Sequence, residues 1–184
     1  DLYLNQDMAD AALEAYEEAL ALDPPVAAER GLRGARALVE LGHIARGRRL
    51  INLVQQSHAA LAPRQKETMA LIKALIEEKE GDPRQAADLY EQVLEQNPMQ
   101  GQALMALGAI RRAQGKTALA TTLYRRASRI EGQRPEALLR EAQIAVDEEK
   151  YDHAVRLLQE SLEAEENPAI RRYLRQVQRS SGQG

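Results

Sequence analysis

The chain has 184 residues and a formal net charge of −3, with no cysteine, tryptophan or phenylalanine. That length can bury a sizeable core, and the missing thiols exclude disulfides, thiolate metal sites and a cysteine nucleophile. Six tyrosines carry all the aromatic content. Ala, Leu, Glu, Arg and Gln, which favour helices, dominate. No apolar run approaches the ~18–20 residues of a membrane span, and no stretch alternates as a strand would. The chain opens at Asp1 without a methionine, inside what reads as the end of a helix. It therefore reads as a fragment or a processed chain, and a missing targeting segment carries no weight. Arginine outnumbers lysine 20 to 5, which hints at a GC-rich bacterial source.

Taken in order, residues 1–6 read as a helix end, and 9–22 as a helix stopped at Asp23-Pro24-Pro25, because proline cannot continue a helix. In 26–61, Leu32, Ala35 and Val39 mark a first helix, Gly42 a turn, and Leu50, Leu53, Val54 and Leu61 a second helix over about 44–60. In 63–97, Met69, Ile72 and Ile76 precede the turn glycine Gly81 and the stripe Ala86, Tyr90, Val93. In 101–132, Leu104, Leu107 and Gly108 precede a turn at Gly115-Lys116 and the stripe Ala120, Tyr124, Ala127. Such i, i+4, i+7 spacing is one helical face. It recurs 34 residues upstream at Ala86, Tyr90 and Val93, and 34 downstream at Ala154, Leu158 and Ser161. Tyr16, flanked by Ala12 and Ala19, stands 74 residues before Tyr90, two periods plus six residues. Most of that surplus lies between Gly42 and Gly81, which predicts a longer helix or loop near residues 58–63. Residues 168–179 read as a last helix with Ile170, Tyr173, Leu174 and Val177 on one face and four arginines elsewhere. Residues 180–184 read as a disordered tail.

This pattern resembles the tetratricopeptide repeat: large residue, Leu-Gly and large residue in helix A, then Ala, aromatic, Ala and Pro in helix B. It is fullest at 82–98 and 101–132 and thinnest at 26–61. The resemblance implies an all-α fold, a right-handed superhelical solenoid of helix-turn-helix repeats with a C-terminal capping helix. Residues 1–179 would form a single repeat domain, with units at about 1–24, 26–61, 63–98, 101–132 and 135–168 and a cap at 168–179. It also implies that the second, fifth, ninth and twelfth positions of each helix A line a concave groove. These are Gln102, Met105, Ala109 and Arg112 in one unit, and Glu136, Leu139, Gln143 and Val146 in the next. About Thr68, Leu71, Leu75 and Glu78 take those positions in the unit before. Some members hold a peptide carboxylate with Lys, Asn and Arg there; here Leu71 or Met105 replaces the basic residue and Leu75 or Ala109 the Asn. The expected groove of Leu71, Leu75, Met105, Ala109, Arg112, Leu139, Gln143 and Val146 suits an apolar or amphipathic peptide. The alternative is that its leucines only pack against the next helix A or against terminal helices folded inward.

Charge alternates along the repeats. Residues 1–25 hold seven carboxylates and no cationic side chain, 26–61 are net basic, 62–100 acidic, 101–134 basic, 135–168 acidic, and 169–184 hold four arginines and no carboxylate. Ion pairing between repeats is the expected use. Interrupted basic blocks without aromatic platforms do not predict a nucleic-acid partner. His43, His58 and His153 stand apart, His153 coming closest to a carboxylate at Glu149, as a solvated pair; neither a metal site nor a catalytic set is expected. The sequence thus predicts a non-enzymatic, cofactor-free protein–protein interaction scaffold. Its partner would be another protein or peptide, with self-association as a further option and no direct membrane span. A bacterial envelope assembly or secretion factor, for a pilus, exopolysaccharide or outer-membrane machine, is the alternative, as is a self-associating structural fragment. The compartment stays open between bacterial periplasm or envelope and cytoplasm.

Overall fold

The computed structural model describes residues 9–57 and 60–182. The helix end expected at 1–6, His58 and the last two residues of the tail lie outside them. Ten α-helices and no strand occur among the described residues. They are α1 (Ala9–Leu22), α2 (Pro24–Glu40), α3 (Ile44–Gln56), α4 (Pro63–Glu80), α5 (Pro83–Gln96), α6 (Gly101–Ala113), α7 (Thr117–Ala127), α8 (Arg134–Asp147), α9 (Tyr151–Ala164) and α10 (Pro168–Ser180). They gather into two compact halves, Asp1–Val93 and Leu94–Gly184.

In the N-terminal half α2 packs on α3 and α4, and α1 on α2 and α3. Leu13, Leu20, Leu32, Leu38, Leu50, Ile51, Val54, Ile72 and Ile76 form its buried core. The 26–61 unit lacks the Ala-Tyr-Ala stripe yet keeps its geometry. Gly47, Ile51 and Val54, all buried, stand at the same i, i+4, i+7 spacing. Glycine is needed at the first of these places, because a Cβ there would fall 2.4 Å from Val39 Cγ2 and 3.1 Å from the Ala35 carbonyl oxygen. The expected surplus is found mainly in α4, which has 18 residues against 13 in α6. The extra length sits at its start, where Pro63 has no N–H to leave unpaired and the Gln65 side chain accepts the Ala62 N–H at 2.9 Å.

In the C-terminal half α6 packs on α7, α7 on α8, α8 on α9 and α9 on α10. Tyr124 is 1 % exposed and Leu104 fully buried. The ring lies on Gly108, where a Cβ would come within 2.5 Å of Tyr124 Cε1. This is why the repeat keeps its smallest residue opposite its largest. The stripe position of Ala127 is taken in α9 by Ser161, whose buried hydroxyl donates to the Pro135 carbonyl at 2.8 Å, satisfying a group otherwise costly to bury. Helix α10 buries Ile170 and Val177 and half-buries Tyr173 and Leu174 against α8 and α9. It runs through Ser180, and Ser181 Oγ donates back to the Gln178 carbonyl at 2.8 Å.

The turns inside the repeats are left-handed. Gly42, Gly81 and Gly115 have φ of 88°, 87° and 74°, values glycine adopts without penalty. At the fourth equivalent turn, 34 residues beyond Gly115, Glu149 holds φ 60°, a conformation that costs a side-chain-bearing residue about 1–2 kcal/mol.

Candidate functional site

Helices α6 and α8 carry six of the residues expected to line the groove. Met105 is half-buried against Ala120, Tyr124 and Ile144, so its outer edge alone is free. Ala109, one turn on, is exposed. Arg112 is engaged on α8: its Nη1 donates to Gln143 Oε1 at 2.9 Å and its Nη2 to Asp147 Oδ2 at 2.6 Å. The guanidinium therefore clasps α6 to α8 and brings two groove-register residues, Arg112 and Gln143, into direct contact. Leu139 and Val146 are half-buried against the core of α8, α9 and α10. Glu136 pairs with Arg140 on its own helix at 2.7 Å. Tyr173 on α10 lies near the same clasp. Burial raises its hydroxyl pKa, Asp147 raises it further and Arg112 opposes the change.

In the N-terminal half Leu71 is buried, 7 % exposed, and Leu75 is half-buried against the core. Glu78 accepts a hydrogen bond from the Tyr90 hydroxyl at 2.9 Å. Burial, with the Glu78 charge behind it, raises the pKa of that phenol strongly. Thr68 Oγ1 donates to the Arg64 carbonyl at 2.9 Å.

A second feature escaped the sequence reading. Glu141 stands 34 residues after Leu107, at a core position of the repeat, and is 3 % exposed. Its Oε1 accepts from Arg125 Nε at 2.7 Å and lies 3.6 Å from His153 Nε2. The solvated pair expected between His153 and Glu149 is corrected by this geometry: Glu149 occupies the left-handed turn, and His153 faces Glu141 across the helix pair. A cleft of about 270 Å³ opens here, lined among others by Thr121, Thr122, Arg125, Glu141, Lys150 and His153. Continuing the 34-residue count from Leu107 would have exposed the anomaly. Among the described residues no cluster of His, Asp or Glu could hold a metal ion, and no helix is long and apolar enough to cross a membrane.

The charge blocks meet as ion pairs between repeats. Arg49 reaches Glu17 at 2.7 Å, Arg48 reaches Glu77 at 3.0 Å and Glu80 at 2.6 Å, and Arg125 and Arg112 reach the acidic unit after theirs. Arg126 instead donates to the Pro98 carbonyl at 2.6 Å, tying α7 to the breaker that precedes α6.

Comparison with known proteins agrees with this architecture. Residues 73–135 and residues 1–25 each match a family model described as tetratricopeptide repeat. No curated protein matches the sequence. Among solved structures, BtubC (BKLC) from P. vanneervenii is similar with a TM-score of 0.80 at 16 % identity, over 95 % of this chain and 82 % of that one. MamA is similar with a TM-score of 0.69 at 18 % identity, over 89 % and 92 % of the two chains. YrrB, described as a TPR protein with an unusual peptide-binding site, gives 0.66 at 14 % identity, over 92 % and 84 %. At such identities the likeness speaks for the fold. With the 34-residue stripe, the glycine turns and the Gly108–Tyr124 contact, the two family matches identify residues 1–25 and 73–135 as tetratricopeptide repeats, carried by a chain of the all-α solenoid fold class.

Proposed function

We propose that this chain is a non-catalytic protein-interaction scaffold whose helix A face binds an apolar or amphipathic peptide segment. The observation that carries the reading is the face of α6 and α8 itself. Half-buried Met105, Leu139 and Val146 and exposed Ala109 present apolar surface, while the Arg112 cation is already engaged by Gln143 and Asp147. A guanidinium so neutralised is a poor anchor for an acidic tail, whereas apolar side chains beside a fixed polar clasp suit an amphipathic helix or an extended apolar segment. Leu71 and Leu75 hold the equivalent register in the N-terminal half, with Leu75 offering the more accessible side chain. The similarity to YrrB, described as a TPR protein with a peptide-binding site, supports the general mode.

The test is a fluorescence titration of the intact chain with two labelled peptides of equal length, one amphipathic and one acidic. The amphipathic peptide should bind more tightly, and binding should change little at high salt, since few charges are involved. Met105→Glu with Leu139→Glu should abolish binding, because a carboxylate facing apolar surface without a partner is costly. Ala109→Glu, at an exposed position, introduces the same charge without touching the core, and should weaken binding with helicity unchanged. Preference for the acidic peptide, or binding that survives both variants, overturns the reading.

A further inference from the structure

The arginine face of α10 and the acidic face of α1 form a matched pair, and we propose that α10 of one copy of this chain docks on α1 of a second copy. The first observation is the cap helix. Aligning its buried Ile170 and Val177 with Ala103 and Ile110 of α6 puts Arg171 and Arg175 where α6 has Leu104 and Gly108. The face that α6 turns to a following helix is thus arginine in α10. Arg171, Arg172, Arg175 and Arg179 fall within an arc of about 100° at 3.6 residues per turn. All four are exposed. Arg171 reaches Glu166 at 2.5 Å. Arg172, Arg175 and Arg179 have no hydrogen-bond or ion-pair partner among the described residues.

The second observation is α1. Glu14 and Glu18, at i and i+4, are exposed and without partners among the described residues, and Ala11 and Ala15 beside them are exposed and small. Leu22, one turn further along the same face, is 86 % exposed. Glu17 is held by Arg49 at 2.7 Å. Both stripes advance by four residues, about 6 Å along the axis, so carboxylates and guanidiniums keep step when the helices lie side by side. The alanines allow close approach, and Leu22 gives the apolar stems of the arginines something to cover. A membrane surface is the poorer fit to α10, because the apolar face it would insert is already packed on α8 and α9. The contact joins unlike surfaces, one from each copy, so it is heterologous: repeated, it closes into a ring where the rotation allows and extends as a filament where it does not.

The experiment is sedimentation velocity of the intact chain over a range of concentrations at about 0.1 M and about 1 M salt, where the screening length falls from about 10 Å to about 3 Å. The sedimentation coefficient should rise with concentration in low salt, and the dissociation constant should increase at least ~tenfold in high salt. Two variants change exposed helical positions: Glu14→Arg with Glu18→Arg, and Arg172→Glu with Arg175→Glu and Arg179→Glu. Each alone should be monomeric in low salt, and an equimolar mixture should associate again, because each then meets the opposite charge. A wild-type chain monomeric at every concentration in low salt overturns the proposal. So does association that persists in either variant alone, or a mixture of two folded variants that stays monomeric. The peptide titrations above read a different face and are indifferent to these outcomes.

Discussion

Replacing Gly108 by alanine tests the repeat geometry most directly. The added Cβ would lie 2.5 Å from Tyr124 Cε1 and 3.0 Å from Cδ1 and Cζ, inside any real contact distance. The ring cannot step aside cheaply, because it is 1 % exposed and packed with Ala120 and Ile144. Overpacking of this kind costs about 1–3 kcal/mol. Alanine returns about 1 kcal/mol of helix propensity. The net expectation is a loss of about 0–2 kcal/mol, against the gain that an unconstrained helical Gly→Ala would give. Tyr124→Ala should lose about 3–5 kcal/mol, as for other large buried aromatics. With the ring gone, Gly108→Ala keeps only its propensity gain, so the double-mutant cycle should show coupling of about 1–3 kcal/mol. Urea unfolding of the intact chain followed by circular dichroism measures all four corners. Stabilisation by Gly108→Ala alone, or coupling below about 0.5 kcal/mol, would refute the idea that this glycine is fixed by the tyrosine.

Three further outcomes follow from single contacts. Tyr90→Phe removes the hydrogen bond to Glu78 and should lower stability by about 1 kcal/mol, whereas Tyr124→Phe, whose hydroxyl makes no hydrogen bond among the described residues, should be nearly neutral; denaturation midpoints compare them. Glu149→Gly relieves a φ of 60° and should raise the midpoint by the equivalent of roughly 0.5–1 kcal/mol, while the same change at exposed Glu148 should not. Burial raises the Tyr90, Tyr124 and Tyr173 pKa values above 10.0; above that pH the unfolded chain releases protons that the folded chain keeps, so stability should fall as pH rises. Tyr90→Phe should flatten that alkaline slope in pH-dependent melting, and an unchanged slope would count against the assignment.

How much of this was legible in the sequence depended on whether one residue type could do the job. The turns needed a positive φ, glycine supplies it cheaply, and Gly42, Gly81 and Gly115 announced them; Glu149 meets the same demand without the signal and was found only in the backbone. The stripe was visible where Ala and Tyr fill it. It was hidden at Gly47, Ile51 and Val54, where different volumes reach the same close approach. A surplus of residues could be located near 58–63, but its division between helix and loop rests on where α4 starts, and Pro63 with the Gln65 cap settled that locally. The groove was less legible. Counting places Arg112 and Gln143 on one face, but cannot tell that they bond to each other, nor that Leu71 turns far enough inward to be buried. Those facts depend on how neighbouring helices are offset, which periodicity along one helix does not encode.

The alternating charge blocks connect these levels. A single exposed ion pair is worth about 0–1 kcal/mol, so the pairs between repeats are minor contributors beside the buried aromatic and aliphatic core. Their placement, however, is selective. The basic 26–61 block uses both acidic neighbours, Arg49 turning to Glu17 and Arg48 to Glu77 and Glu80. The basic 101–134 block turns Arg112 and Arg125 to Asp147 and Glu141. Repeats of one family share their apolar pattern, so apolar packing alone discriminates poorly between correct and shifted neighbours. Like-charged blocks brought together would repel, and the sign alternation therefore favours one order of stacking. In 169–184 that logic is left incomplete: Arg171 meets Glu166, while Arg172, Arg175 and Arg179 remain exposed on a helix whose other face is spent on the core. The acidic residues Glu14 and Glu18 are in the converse position on α1. The same rule that orders repeats within the chain then assigns these two surfaces to each other between chains.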